Sequence, residues 1–128
     1  MKAETLYRKA IETANSDLRT IDLSENYLNM ARCLDKLTRR SEGVELLEKG
    51  LENVKTTNGK ALMYIQLCKM LYWEKRYGDY ISYYHKAKQY FGKEISTDMA
   101  AYMTAIKEII EGNADKAEKT YVSLLLII

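Results

Sequence analysis

The stretch Tyr64–Ala87 reads YIQLCKMLYWEKRYGDYISYYHKA, and it decides the fold. Tyr64, Leu67, Cys68 and Leu71 recur at i, i+3, i+4 and i+7. That spacing puts them on one face of a helix. Tyr80, Ile81, Tyr84 and Ala87 form a second such face. Between the two runs, residues 74–79 are polar and carry Gly78, which suits a tight turn. Two amphipathic helices joined by a short turn make an antiparallel hairpin. One hairpin alone leaves its apolar face open to water, so neighbours of the same kind are required.

The neighbours are present. Upstream, Tyr27, Met30, Ala31 and Leu34 are followed by Gly43, Leu47 and Gly50. Downstream, a helical run closing in Glu111-Gly112-Asn113 is followed by Ala117, Tyr121 and Leu124. Ser24, Ala61 and Asp98 are equivalent starts, spaced 37 residues apart. The N-terminal run Ala3, Tyr7, Ala10 has the spacing of a second helix only. Helices are predicted over 2–14, 24–38, 41–54, 60–75, 78–91, 96–111 and 114–127, with no strands. In the first of them Leu6, Tyr7, Ala10 and Ile11 should face inward. Ser24, Ser41, Ser96 or Thr97, and Asn113 are the candidate N-caps. Residues 55–59 read as a loop with an Asn58-Gly59 turn.

The pattern large-x2-large-small-x2-large, then small-x3-aromatic-x2-small, resembles the tetratricopeptide repeat, TPR, whose period is about 34. The resemblance covers nearly the whole chain. It implies an all-α fold: a right-handed superhelical array of antiparallel helix pairs, about seven helices in one domain over residues 1–128. A half-repeat would occupy 1–17, and full hairpins 24–57, 61–94 and 98–128. Three departures stand out. The chain has no proline to close a repeat. Tyr80 stands where the family prefers alanine, which calls for the two helices of that hairpin to be splayed or shifted. Glu108 stands at a usually apolar position, which points to a register shift of one in the third repeat.

Composition narrows the function. Hydrophobic residues make up 47% and charged residues 30%, ordinary for a folded chain. The net charge of +2 is too small to call for a polyanion. The start has no apolar leader, and Val122–Ile128 is far short of the roughly 20 residues that span a bilayer. No membrane association is therefore expected. Cys33 and Cys68 supply no disulfide framework, so a reducing, cytoplasmic setting is expected.

No catalytic, cofactor or metal constellation is visible. His85 is the one histidine, and nothing stands at ligand spacing from it. The carboxylates sit beside Lys and Arg at i, i+4, as in Glu45–Lys49 and Asp115–Lys119. The chain is therefore read as a non-enzyme. Six of the eleven tyrosines fall between Tyr72 and Tyr90. Such rings can stack bases, but TPR cores use aromatics as wedges, so nucleic acid is disfavoured as a partner.

In the TPR arrangement the first helix of each hairpin lines a concave groove that receives a protein or peptide segment. The groove positions here are Glu25, Leu28, Asn29, Arg32 and Lys36, then Leu62, Ile65, Gln66, Lys69, Tyr72 and Trp73, then Met99, Tyr102, Met103, Ile106 and Ile110. Side-chain amides can pair with a peptide backbone, and the cations suit a carboxylate. Asn29, Arg32, Lys36, Gln66, Lys69, Tyr72, Trp73 and Met103 are thus the candidate partner-binding residues. One TPR subclass clamps a C-terminal carboxylate with Lys, Asn, Asn, Lys and Arg. Leu28, Arg32, Gln66, Met99 and Met103 match that set poorly. A scaffold or peptide-sensing module of a larger regulatory protein fits better, and a homodimer formed through the terminal helices is the rival.

Overall fold

The computed structural model of the chain describes residues 4–6, 8–9 and 23–127, with side chains as far as residue 120. Among the described residues every regular element is helical. Residues 4–6 and 8–9 are helical. Six helices with full bounds follow: α1 (Ser24–Lys36), α2 (Arg40–Asn53), α3 (Thr57–Trp73), α4 (Tyr77–Ala87), α5 (Thr97–Ile110) and α6 (Ala114–Ile127). A short 3₁₀ turn, Lys88–Tyr90, extends α4.

The helices pack as three consecutive hairpins, α1 on α2, α3 on α4 and α5 on α6. All three close by the same turn. Arg39 N–H donates to the Leu34 carbonyl at 2.8 Å, Arg76 to Leu71 at 2.9 Å, and Asn113 to Glu108 at 2.7 Å. Thr38, Lys75 and Gly112 take φ of 60°, 61° and 83° in these turns. Each is a Schellman closure, in which one left-handed residue lets two N–H groups reach carbonyls of the last helical turn. Every member of the set stands 37 residues from its equivalent.

Burial follows the same spacing. Ala31, Cys68 and Ala105 are buried, as are Leu34, Leu71 and Glu108. Glu108 therefore holds the in-phase position, and the expected register shift is absent. The side chain turns toward α6, where the Thr120 hydroxyl donates to its Oε1 at 3.0 Å. Oε2 is buried with no hydrogen-bond partner among the described residues.

Small residues set how closely the helices meet. A Cβ on Gly50 would lie 2.6 Å from Met63 Cε and 2.8 Å from the Tyr27 ring. At Gly59 it would lie 2.9 Å from the Ser24 side chain. That contact explains a correction: residues 57–59 are the first turn of α3, not a loop. Thr56 caps it, accepting from Gly59 N–H at 3.0 Å. Ser24 and Ser41 do not cap their helices either; Leu23 and Arg39 hold those positions without a side-chain bond. Ser96 does cap α5, accepting from Met99 N–H at 3.2 Å.

Neighbouring hairpins are tied at the turn edge. Arg40 bonds Asp35 at 2.6 Å and lies 3.6 Å from Glu74. Ser41 donates to Glu74 at 3.2 Å. At the N-terminal side Arg39 pairs with both Glu4, at 2.7 Å, and Glu42, at 2.6 Å. Because Glu4 turns toward Arg39, Leu6 points away and is 66% exposed, against the expectation that it faces inward. Tyr7, Ala10 and Ile11, and most of the expected half-repeat, lie outside the described residues.

Candidate partner-binding groove

The first helices of the hairpins, α1, α3 and α5, meet differently at their two seams. Helix α1 packs directly on α3. There the expected residues Asn29, Arg32 and Gln66 come together. Arg32 Nε donates to Gln66 Oε1, and its Nη1 to Asn29 Oδ1, each at 3.5 Å. Bonds that long are weak. They aim an exposed guanidinium while leaving most of its five donors open. Gln66 is only 8% exposed, so its amide positions the arginine and is not open for a peptide backbone. Leu28 is 3% exposed and belongs to the core cluster, not to a groove wall.

The second seam is looser, because α5 packs mainly on α4 and α6 and not on α3. Tyr80 is the physical reason. It stands where Gly43 and Ala117 stand in the other hairpins, and its ring is fully buried. Its hydroxyl donates to the Met103 carbonyl of α5 at 2.8 Å. Tyr84 adds a second tie, its hydroxyl 2.8 Å from Thr104 Oγ1. A buried ring thus occupies, between α4 and α5, a position that is hydrogen in Gly43 and methyl in Ala117. The splay expected within the Tyr80 hairpin is a different matter: α3 and α4 pack on each other, and the ring's hydrogen bond runs to the next hairpin instead.

The result is a cavity of about 210 Å³ between α3 and α5. Ile65, Cys68 and Lys69 line it from α3, and Tyr80 from α4. Met99, Tyr102, Met103 and Ile106 line it from α5. Met103 is buried in its wall, while Tyr102 is exposed at its mouth. Burial pushes the Cys68 thiol up to about 12, so it meets the cavity as a neutral, weakly polar group. Lys69 lines the cavity and is exposed.

Trp73 stands beyond the cavity, 59% exposed at the end of α3. Tyr72 holds it edge-on at 5.7 Å between centroids, and touches Tyr77 at 5.9 Å and Tyr80 at 6.4 Å. Exposed apolar patches of this sort, rimmed by polar groups, mark interaction sites. Arg8, Arg39, Arg40, Arg76 and Lys107 pair with carboxylates. Arg32, Lys36 and Lys69 enter no ion pair among the described residues, and in this they are like lysines elsewhere on the surface such as Lys49, Lys60 and Lys93.

Other features carry less. A hollow of about 400 Å³ at the α5–α6 turn is walled by exposed residues such as Asn113, Asp115 and Lys119. Tyr83 bonds Glu48 at 2.7 Å, and Tyr84 and Tyr90 are buried, so most of the tyrosine cluster is packing. His85 is exposed and stands edge-on to Tyr84 at 5.4 Å. Among the described residues no group of three His, Cys, Asp or Glu could hold a metal ion, and no helix is long and apolar enough to cross a membrane.

Cys68 and Tyr80 were missing from the groove expected on sequence. Tyr80 left a signal, a large ring at a position small in both sister hairpins. Cys68 left none, because its spacing reads as core. Comparison with protein-family models, curated proteins and solved structures yields no match for this chain.

Proposed function

We propose that the chain is a non-catalytic interaction module. Its three hairpins form a right-handed, TPR-like array, and the face built by α1, α3 and α5 holds a segment of a protein or peptide partner. The observation that supports this most is the apolar cavity between α3 and α5, with exposed Tyr102 in its lining and exposed Trp73 further along α3. An open apolar hollow next to exposed rings is stable in water only at a cost that a bound segment relieves. In this reading the module serves a larger regulatory protein in a reducing compartment, where Cys33 and Cys68 remain free thiols.

Trp73 makes the proposal measurable, since it is the chain's single tryptophan. A peptide seated on this face shields the indole and shifts its emission to shorter wavelength. The paired substitutions Asn29→Ala and Gln66→Ala leave the fold intact and weaken capture, because Arg32 loses its orientation. A tight ligand that leaves Trp73 emission unchanged, with calorimetric affinity unaltered in the folded double variant, removes the face from consideration. Exposed Leu6 favours a second reading, self-association through the N-terminal helical residues. Sedimentation at micromolar concentration separates the two, a tight dimer lost in Leu6→Glu being the rival's signature.

A further inference from the structure

Asn58-Gly59, expected in a loop and found in the first turn of α3, carries chemistry that the binding face does not use. We propose that Asn58 is a deamidation site which the N-terminal cap of α3 holds shut. Its conversion to isoaspartate loosens the contact between α1 and α3.

The reaction needs water and no enzyme. The Gly59 amide nitrogen attacks the side-chain carbonyl carbon of Asn58. The nitrogen–Cγ bond forms, the bond from Cγ to the side-chain nitrogen breaks, and ammonia leaves with the Gly59 amide proton. Water then opens the cyclic imide. Opening at the side-chain carbonyl gives aspartate. Opening at the main-chain carbonyl gives isoaspartate, whose backbone runs through one additional methylene. Glycine in the following position favours the attack, because no Cβ hinders its nitrogen and its backbone turns freely. Asn58 is exposed, so water reaches it.

Two features of the fold oppose the attack. Helical geometry aims each N–H along the axis and away from the preceding side chain. The Gly59 N–H is also one of the first donors of α3, which have no partner within the helix. It is held instead by Thr56 Oγ1 at 3.0 Å. The nitrogen can turn on Asn58 only when this bond opens and the first turn frays. Packing explains why glycine stands there at all. A Cβ at Gly59 would lie 2.6 Å from Thr56 Oγ1 and 2.9 Å from the Ser24 side chain of α1. The close approach of α1 and α3 thus requires the residue that makes Asn58 reactive.

The two products act differently on the fold. Aspartate puts a negative charge in the first turn of α3, which has no acidic residue, and the helix N-terminus favours it. Isoaspartate lengthens the main chain between Thr56 and Gly59. Both bonds that close this turn span the added atom: Gly59 N–H to Thr56 Oγ1, and Lys60 N–H to the Thr56 carbonyl at 3.0 Å. With the longer chain these bonds cannot both form, and Gly59 moves off Ser24.

Peptide mapping of the intact chain, aged at mildly alkaline pH with and without urea, tests the site. Asn58 should convert at least about tenfold more slowly in the folded protein, because reaction waits on local opening. Thr56→Ala should raise the folded rate about fivefold, the change in open population that loss of a capping bond produces. Thr56→Ser keeps an acceptor oxygen and should stay near the original rate. Asn58→Ser should not react. In the aged protein, trypsin should cut after Lys55 and Lys60 at least about fivefold faster in the isoaspartate form. Asn58→Asp should be cut as slowly as the original chain.

Equal conversion with and without urea, unmoved by Thr56→Ala, overturns the guard. If Thr56→Ala does not fold, amide exchange at Gly59 of the original chain reads the same opening, and conversion that fails to follow it with temperature overturns the guard. An isoaspartate form cut no faster than the original overturns the loosening. No conversion of Asn58 even in urea overturns the site itself.

Discussion

Replacing Thr38 by glycine should make this protein more stable, although it deletes a side chain and adds nothing. Thr38 sits at φ 60° in the α1–α2 turn, where the equivalent residue of the third hairpin is Gly112 at φ 83°. An L-residue there sets its Cβ against the following carbonyl, a cost of about 1–2 kcal/mol, highest for a β-branched side chain. Glycine avoids that cost but gives the unfolded chain more freedom, which returns about 0.4–1 kcal/mol. The Thr38 hydroxyl bonds the Leu37 carbonyl at 2.6 Å, but at an exposed site where water replaces it. The balance is a gain of about 1 kcal/mol, or about 3–5 °C in Tm for a chain of this size. Lys75→Gly, at φ 61° without a β-branch, should gain about half as much, and Gly112→Thr should lose about 1 kcal/mol. Urea unfolding followed by circular dichroism measures all three. Thr38→Ala is the control, since it keeps the Cβ and should give little of the gain. If Thr38→Gly lowers the midpoint, or Thr38→Ala raises it equally, left-handed strain is not what distinguishes the three turns.

Four further outcomes follow from packing and burial. Gly50→Ala improves helix propensity by about 1 kcal/mol but drives its methyl into the Tyr27 ring, which Asn53 holds by a 3.0 Å bond to the hydroxyl, so a net loss of about 1 kcal/mol is expected in the same unfolding assay. Gly78→Ala meets nothing within 4 Å and should be neutral or gain a few tenths of a kcal/mol. Glu108→Leu should stabilise by about 1 kcal/mol or more, because it replaces a buried carboxyl oxygen that has no partner among the described residues with the residue found at Leu34 and Leu71. The Cys68 thiol should resist iodoacetamide at pH 8 until the protein is unfolded. Its folded-state value is raised, so the stability it contributes is complete below pH about 9 and is lost as pH rises toward about 12, which stability curves across that range will show.

Much of the chain was legible because burial obeys one spacing. Leu34, Leu71 and Glu108 share a position, and the spacing located all three before any coordinate did. Glu108 shows the limit of reading chemistry over period: its polarity suggested a slip, yet the backbone holds it in phase and buries it anyway. The turns were less legible. Thr38 and Lys75 carry no hint of a left-handed conformation, because the Schellman bonds impose it from the helix side. Helix starts at Leu23 and Arg39 escaped the search for caps because neither uses a side-chain bond. Arg32, Lys69 and Met103 were expected on the first helices from the repeat resemblance, and they lie on α1, α3 and α5. The cavity beside them depends on the reach of the Tyr80 ring into another hairpin, and that is a tertiary quantity no local pattern contains.

The most direct measurement uses the methionine methyl groups. With 13C-methyl methionine, titration with a peptide carrying a bulky apolar anchor should shift the Met99 and Met103 signals, which line the cavity, and leave Met30 and Met63, sealed in the core, in place. Binding that moves Met30 or Met63 while Met99 and Met103 stay fixed would contradict the account.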